Sequence, residues 1–200
     1  MNKIYIPSEY KEAVASKSFI RKICGLAIRV PIYIMYSIPR NIARLRGAKV
    51  GSRTIISWRI ALNCNNKLCV GNDCIVNASY IDNRDYVTIM DNVIINSGVE
   101  ILRLSHYIDN TSNHLTRYYG EIRIHSYSWI ATGSKILPSV REIRTGSIIG
   151  AYSVLSSNTD EDGVYVGNPA VKKRIHTSRF TELVVASQMG GDLIHYCKCI

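Results

Sequence analysis

Between Ile124 and Leu155 an aliphatic side chain recurs at nearly every sixth residue: Ile124, Ile130 and Ile136, then, after one step of seven, Ile143, Ile149 and Leu155. Four residues after most of these stands a second small or aliphatic residue, at Ser128, Ser134, Val140, Ser147 and Ser153. A helix repeats every 3.6 residues and a strand every two, so neither yields a six-residue beat with a small partner at a fixed offset. A stacked solenoid does, and hexapeptide repeats are the sequence sign of a parallel β-helix.

The beat begins earlier in noisier form. Val70-Gly-Asn-Asp-Cys-Ile and Val76-Asn-Ala-Ser-Tyr-Ile are consecutive hexads. After a slip near Asp82–Asp85 come Ile89-Met-Asp-Asn-Val-Ile and Ile95-Asn-Ser-Gly-Val-Glu, leading to Ile101. Residues 107–120 show no period and are rich in turn formers and tyrosine, which predicts a long loop extruded from the solenoid. Loops of that length in compact folds usually serve function. Three hexads make one triangular coil of about eighteen residues, which leaves room for roughly six coils between 54 and 170. The clean repeat ends in Asp160-Glu-Asp-Gly, Gly167-Asn-Pro-Ala forms a turn, and a last helix is predicted over 177–188, with Gly190-Gly191 as its stop.

Residues 8–47 read as helical, with Ser8 as N-cap, Pro31 ending or kinking a first helix and Pro39 starting a second that stops at Gly47. This segment is strongly basic: residues 1–50 hold ten of the 25 Lys and Arg against Glu9 and Glu12 alone, out of a net charge of +10 for the chain. A basic amphipathic helix pair can cover the open end of a solenoid or make a peripheral contact with a membrane; the cap is the favoured expectation. No nucleic-acid-binding motif accompanies the charge, so no nucleic-acid partner is expected. The longest uncharged apolar run, 30–39, is too short to span a bilayer and precedes no cleavage site, so a cytoplasmic chain is expected. The six cysteines form no CxxC pair and have no histidine at zinc-ligand spacing, so they read as reduced thiols. Three regions follow: a helical cap over 1–50, a β-helix over 51–170 with its loop at 107–120, and a C-terminal helix and tail over 171–200.

Four stretches carry a family likeness: Ile89-Met-Asp-Asn-Val-Ile-Ile-Asn-Ser-Gly-Val, Leu104-Ser-His106, Ser128-Trp-Ile-Ala-Thr-Gly-Ser-Lys-Ile-Leu-Pro, and Gly146-Ser-Ile-Ile-Gly-Ala-Tyr-Ser-Val-Leu with Val166-Gly-Asn-Pro-Ala. With them the chain resembles the hexapeptide-repeat acyltransferases, and within that family the acetyl-CoA-dependent sugar and polysaccharide O-acetyltransferases. The resemblance implies an all-β solenoid, a left-handed parallel β-helix of about six coils, assembled as a homotrimer, with acetyl-CoA as co-substrate and no metal.

In this family a histidine where an extended loop leaves a middle coil is the general base that takes the acceptor's proton. His106 matches by context, five residues after Ile101 and directly before the loop; His114 and His125 are rivals. The chemistry suits the residue type, because a sugar hydroxyl is a poor nucleophile near neutral pH and a neutral imidazole can remove its proton during attack. The polysaccharide enzymes often have an acidic residue after this histidine; here Tyr107 stands there, leaving Asp109 or a backbone carbonyl to orient the ring. The positions that match the acetyl-CoA groove are Ala131, Thr132 and Ala151, followed by Ser156, Ser157, Lys173 and Arg174. Trp129 matches an aromatic residue bordering the acceptor pocket, and Tyr118 and Tyr119 offer sugar-stacking surface.

The expected reaction is O-acetylation of a sugar, in a capsule, O-antigen or polysialic-acid type of glycan. N-acetylation of a nucleotide-linked amino sugar is the alternative. A zinc carbonic anhydrase on the same fold would need three convergent histidines, and a purely structural solenoid would have neither interruption nor loop.

Overall fold

The structure, a computed structural model, describes residues 8–109, 114–177 and 192–200. Its body is a parallel solenoid whose chain visits three faces in turn. The first face holds β1 (Lys49–Val50), β3 (Leu68–Val70), β6 (Val87–Ile89), β11 (Ile122–Ile124) and β14 (Glu142–Ile143). The second holds β2 (Ile55–Ile56), β4 (Ile75–Val76), β7 (Ile94–Ile95), β12 (Trp129–Ile130), β15 (Ile148–Ile149), β17 (Gly163–Gly167) and the antiparallel β18 (Ala170–Ile175). The third holds β5 (Tyr80–Ile81), β8 (Glu100–Ile101), β13 (Lys135–Ile136) and β16 (Val154–Leu155). About six coils result, the first and last incomplete. In the first, helix α3 (Trp58–Asn63) takes the place of a third-face strand, its N-terminal amide at Ile60 bonded to the Ser57 hydroxyl.

The sequence period explains the core. Most strands are two residues long, one outward and one inward. The inward residues stack in register: Val70, Ile89, Ile124 and Ile143 on the first face; Val76, Ile95, Ile130 and Ile149 on the second; Ile81, Ile101, Ile136 and Leu155 on the third. All are buried. Each such side chain taken from water contributes about 1.5–3 kcal/mol, and β-branched residues fit the pleat.

The small partners of the hexads solve a corner problem. A chain that turns every six residues aims carbonyls inward, and buried carbonyls need donors. The Ser128 hydroxyl lies 2.7 Å from His125 O and 3.1 Å from Arg144 O, one coil on. Ser134 does the same for Ala131 O and Gly150 O, and Ser147 reaches Asp160 O at 2.9 Å. Cys74 holds the equivalent place between Thr54 and Val93, its thiol 2.9 Å from Met90 O. Burial pushes that thiol up to about 12, so it stays a neutral donor, as expected for a core cysteine. Just before these corner residues the backbone takes the left-handed conformation, for example at Asp73, Asn92 and Tyr127. Gly133 holds such a place (φ +73°) for a second reason: an added Cβ would stand 2.5 Å from the Tyr152 ring.

Three expectations need correction or bounds. The helix does not break at Pro31 or restart at Pro39: after α1 (Ser8–Ala15), α2 runs unbroken from Phe19 to Leu45. The carbonyls that lose their partners belong to the exposed residues Ala27 and Met35, where water can replace the missing N–H, and packing of Pro39 and Ala43 into the first coil holds the far end. Gly47, at φ +95°, then ends the helix, its amide bonded to Arg44 O. The extruded segment is not irregular. It contains the antiparallel hairpin β9 (Ser105–Asp109) and β10 (His114–Tyr118). The helix expected over 177–188 lies almost wholly outside the described residues, whereas the uninterpreted tail contains α4 (Asp192–Cys197), with Tyr196 buried against α2.

Ile130→Ala should cost about 2–5 kcal/mol of unfolding free energy, since the interior cannot collapse onto the void. Lys135→Ala, which removes a half-exposed ion pair with Glu100, should cost below about 1 kcal/mol. Urea titration of both variants checks the contrast.

Candidate active site

The stack is interrupted once, between β8 and β11, yet its register is kept. Glu100 and Ile101 pair with Lys135 and Ile136 of the next coil as if nothing intervened. The hairpin leaves from the corner between the third and first faces, so its two ends must lie side by side where the solenoid is densest. Two charged residues manage this, and the sequence reading had singled out neither for the site.

Asp82, buried in the preceding coil, takes the entering strand. Its Oδ2 accepts the backbone amides of Arg103 at 3.2 Å and Leu104 at 3.1 Å, while Arg84 pairs with both carboxylate oxygens at 2.7 and 2.6 Å. Burial pushes the Asp82 carboxyl up, but the Arg84 guanidinium and the amides of Arg84 and Arg103 outweigh it and hold the group below the usual carboxylate range. Arg103 takes the leaving strand. Fully buried, it donates to Gly120 O at 2.6 Å, Val140 O at 2.8 Å, Pro138 O at 3.1 Å and Glu121 O at 3.3 Å. Burial, aided by the neighbouring Arg141 charge, lowers the guanidinium to about 10, so it is still a cation at neutral pH. Two signals were available in the sequence: the slip at 82–85, and an arginine two residues past an inward isoleucine.

His106 stands just above this clamp, in β9, opposite Arg117 of β10 and exposed to solvent. Ser105 pairs with Tyr118, and Asp109 with His114; the side chains of Asp109 and His114 are outside the described residues. Tyr119 is partly exposed and tied back to the clamp by the Arg84 guanidinium, 5.7 Å from its ring centre. Beside the hairpin's exit an open cleft of about 330 Å³ is lined by Gly120, Glu121, Arg123, Arg141 and Glu142. His125 lies at the corner between the first and second faces, away from the hairpin. Among the described residues, no three or more His, Cys, Asp or Glu stand together as a metal site.

The remaining predicted residues divide among three places. Ala131 and Thr132 stack below Ala151 at the corner between the second and third faces, Tyr152 N donating to Thr132 O at 2.9 Å. Ser156 and Ser157 are exposed at the corner from which the hairpin springs, two coils on, where Ser156 O accepts the Ser139 hydroxyl at 2.6 Å. Lys173 and Arg174 are exposed on β18, the outermost strand of the second face. Trp129, 37% exposed, is the outward residue of β12 on that second face, between Ile94 and Ile148. Within one chain the structure therefore groups His106 with Tyr118 and Tyr119, and Ala131 with Thr132 and Ala151. Trp129 and the basic pair stand on a different face from the hairpin's root.

No family model matches the sequence, and no curated protein matches it either. Solved structures do. A hexapeptide-repeat acetyltransferase from Vibrio cholerae superposes with a TM-score of 0.61 at 18% identity, over 86% of this chain and 95% of its own. AntD, an N-acyltransferase from Bacillus cereus solved with dTDP and 3-hydroxybutyryl-CoA, gives 0.56 at 17% identity, over 72% and 91%. A galactoside acetyltransferase in complex with coenzyme A gives 0.54 at 24% identity, over 70% of each chain. The chain thus has the left-handed β-helical fold of the hexapeptide-repeat acetyltransferases: its repeat led us to expect the solenoid, and its family resemblance the hand.

Arg103→Leu should be destabilising, by roughly 2–4 kcal/mol, because one buried and three part-buried carbonyls lose their donor. Arg103→Lys should recover only part, since one ammonium cannot span them; chemical denaturation and protease cleavage within 107–120 report both effects. Because the folded state holds the Asp82 pKa down, its contribution is complete above the unfolded carboxylate pKa, near 4, and is lost as pH falls through the lower folded value. Asp82→Asn should therefore lower stability at pH 7 and flatten its acid dependence, as read from urea midpoints between pH 7 and pH 2.

Proposed function

We propose that this protein is an acetyl-CoA-dependent acyltransferase that acetylates a hydroxyl of a sugar, in a surface glycan of the capsule, O-antigen or polysialic-acid kind. One observation carries the reading: an otherwise in-register prism opens at a single corner to insert a hairpin, and His106 is the second residue of that hairpin. The acetyl- and acyltransferase names of the solved proteins that share the fold support it, as does the cleft beside the hairpin, whose carboxylates and guanidinium groups suit a hydroxyl-rich acceptor.

In this mechanism the acceptor hydroxyl lies against the His106 imidazole. The ring takes its proton as the oxygen attacks the thioester carbonyl carbon; the carbon–sulfur bond then breaks, and the proton passes to the departing sulfur to give the ester and free CoA. Transfer is direct: the acceptor oxygen itself attacks the thioester, with no covalent acyl-enzyme between. An exposed ring reaches its full effect once a second chain walls it in. We therefore assign the working unit as a homotrimer in which the pantetheine arm runs along the Ala131, Thr132 and Ala151 corner of one subunit. Ser156 and Ser157 bond its amides, and Lys173 and Arg174 meet the phosphates. Across that groove Trp129 of one chain borders the acceptor beside the His106 hairpin of the next, with Tyr118 and Tyr119 stacking on the sugar and Asp109 orienting the ring. A cytoplasmic site fits a co-substrate made there. An amine on a nucleotide-linked sugar is the second acceptor reading, suggested by the likeness to AntD.

Release of free thiol from acetyl-CoA across a panel of sugars, glycans and nucleotide-linked amino sugars tests the reading. His106→Ala should lower kcat/KM by about 10²–10⁴-fold with CoA binding unchanged. Full turnover by that variant on the responsive acceptor would remove His106 from the role.

A further inference from the structure

Helix α2 has two faces with opposite fates. On one, Gly25, Arg29, Ile32, Tyr36, Pro39 and Ala43 recur at three- and four-residue steps and are half or fully buried, against α3, the first coil and α4. On the other, Phe19, Ile23, Ala27, Val30, Ile34 and Ile38 recur at the same steps and face solvent; Phe19 is 75%, Ile23 51% and Ile34 52% exposed. From Phe19 to Ile38 this stripe runs about 30 Å, without one charged side chain on its centre line. Exposed apolar stripes of that extent mark interaction surfaces.

Charge identifies the occupant. α2 carries Arg21, Lys22, Arg29, Arg40 and Arg44 and no acidic residue. Arg29 is engaged with the Tyr196 ring at 4.1 Å and Arg44 with Val50 O, while Arg21 falls one turn before Gly25 on the packed side, which leaves Lys22 and Arg40 on one flank of the stripe. Stripe-to-stripe pairing of two copies would bring like charges together, because the first fifty residues hold ten basic against two acidic residues, and residues 51–200 hold fifteen basic against thirteen acidic. No helix of the described residues is long and apolar enough to cross a membrane. An apolar stripe flanked only by cations, on a helix that does not span, fits the plane of an anionic lipid surface.

We propose that α2 docks the protein flat on an anionic membrane, with Phe19, Ile23, Val30, Ile34 and Ile38 among the acyl chains and Lys22 and Arg40 at the headgroups. The solenoid would then be held beside the bilayer by its N-terminal end. This does not rest on the acetyltransferase reading, and its test measures lipid binding alone.

The full chain is floated with phosphatidylcholine vesicles, with and without phosphatidylglycerol. Wild type should float with the anionic vesicles and release at high salt, with binding reduced at least about tenfold. Ile23→Gln/Ile34→Gln/Ile38→Gln replaces exposed residues only, so its circular dichroism should match wild type while flotation falls about tenfold or more. Lys22→Gln/Arg40→Gln should lose the preference for anionic vesicles. Failure of wild type to float, or equal flotation of the triple isoleucine variant, overturns the proposal. A drop in particle mass of that variant by light scattering, without loss of lipid binding, would overturn it too and assign the stripe to contact between copies.

Discussion

Everything in this molecule depends on register between successive coils. Each rung presents one inward side chain per hexad, and backbone bonds run from rung to rung, so a slip anywhere would turn aliphatic residues outward along the prism. The structure keeps that register across its largest interruption, where Glu100 and Lys135 pair although 34 residues lie between them. What the hairpin does is therefore bounded by what the neighbouring coils tolerate: its ends must fit a corner made for a single turn.

That demand accounts for the most unusual chemistry in the chain, a fully buried arginine among four carbonyls and a buried aspartate capping two amides. Burying a charge is costly unless it is surrounded by partners, and both groups have theirs. The clamp fixes the root of β9 three residues before His106, on a rigid support in place of a free loop. A reactive group held this way can be exposed without being loose. Trp129 and the basic residues of β18 sit on another face of the single chain.

The inward core was legible at residue level, because a triangular coil forces a period that nothing else produces: Ile124, Ile130, Ile136, Ile143, Ile149 and Leu155 are all fully buried, as are the serines between them. That His106 stands directly at the break was legible too, and the structure puts it in β9. The hairpin was not, since its polar strands hide an alternation that only cross-strand pairing reveals. Nor was the continuous α2, because local rules against proline in a helix ignore water at the freed carbonyls and the packing of Pro39. The clamp was missed because a charged residue two positions after Ile101 looks like surface until the corner closes over it.

The sequence by itself determined the period, and with it the solenoid, the identity of the core and the corner at which it opens, because these follow from spacing along one chain. Only the tertiary structure decided that α2 bridges both prolines, that the excursion is a hairpin, and that Asp82 and Arg103 meet at its root. Those outcomes rest on contacts between residues distant in sequence, whose energies no local pattern contains.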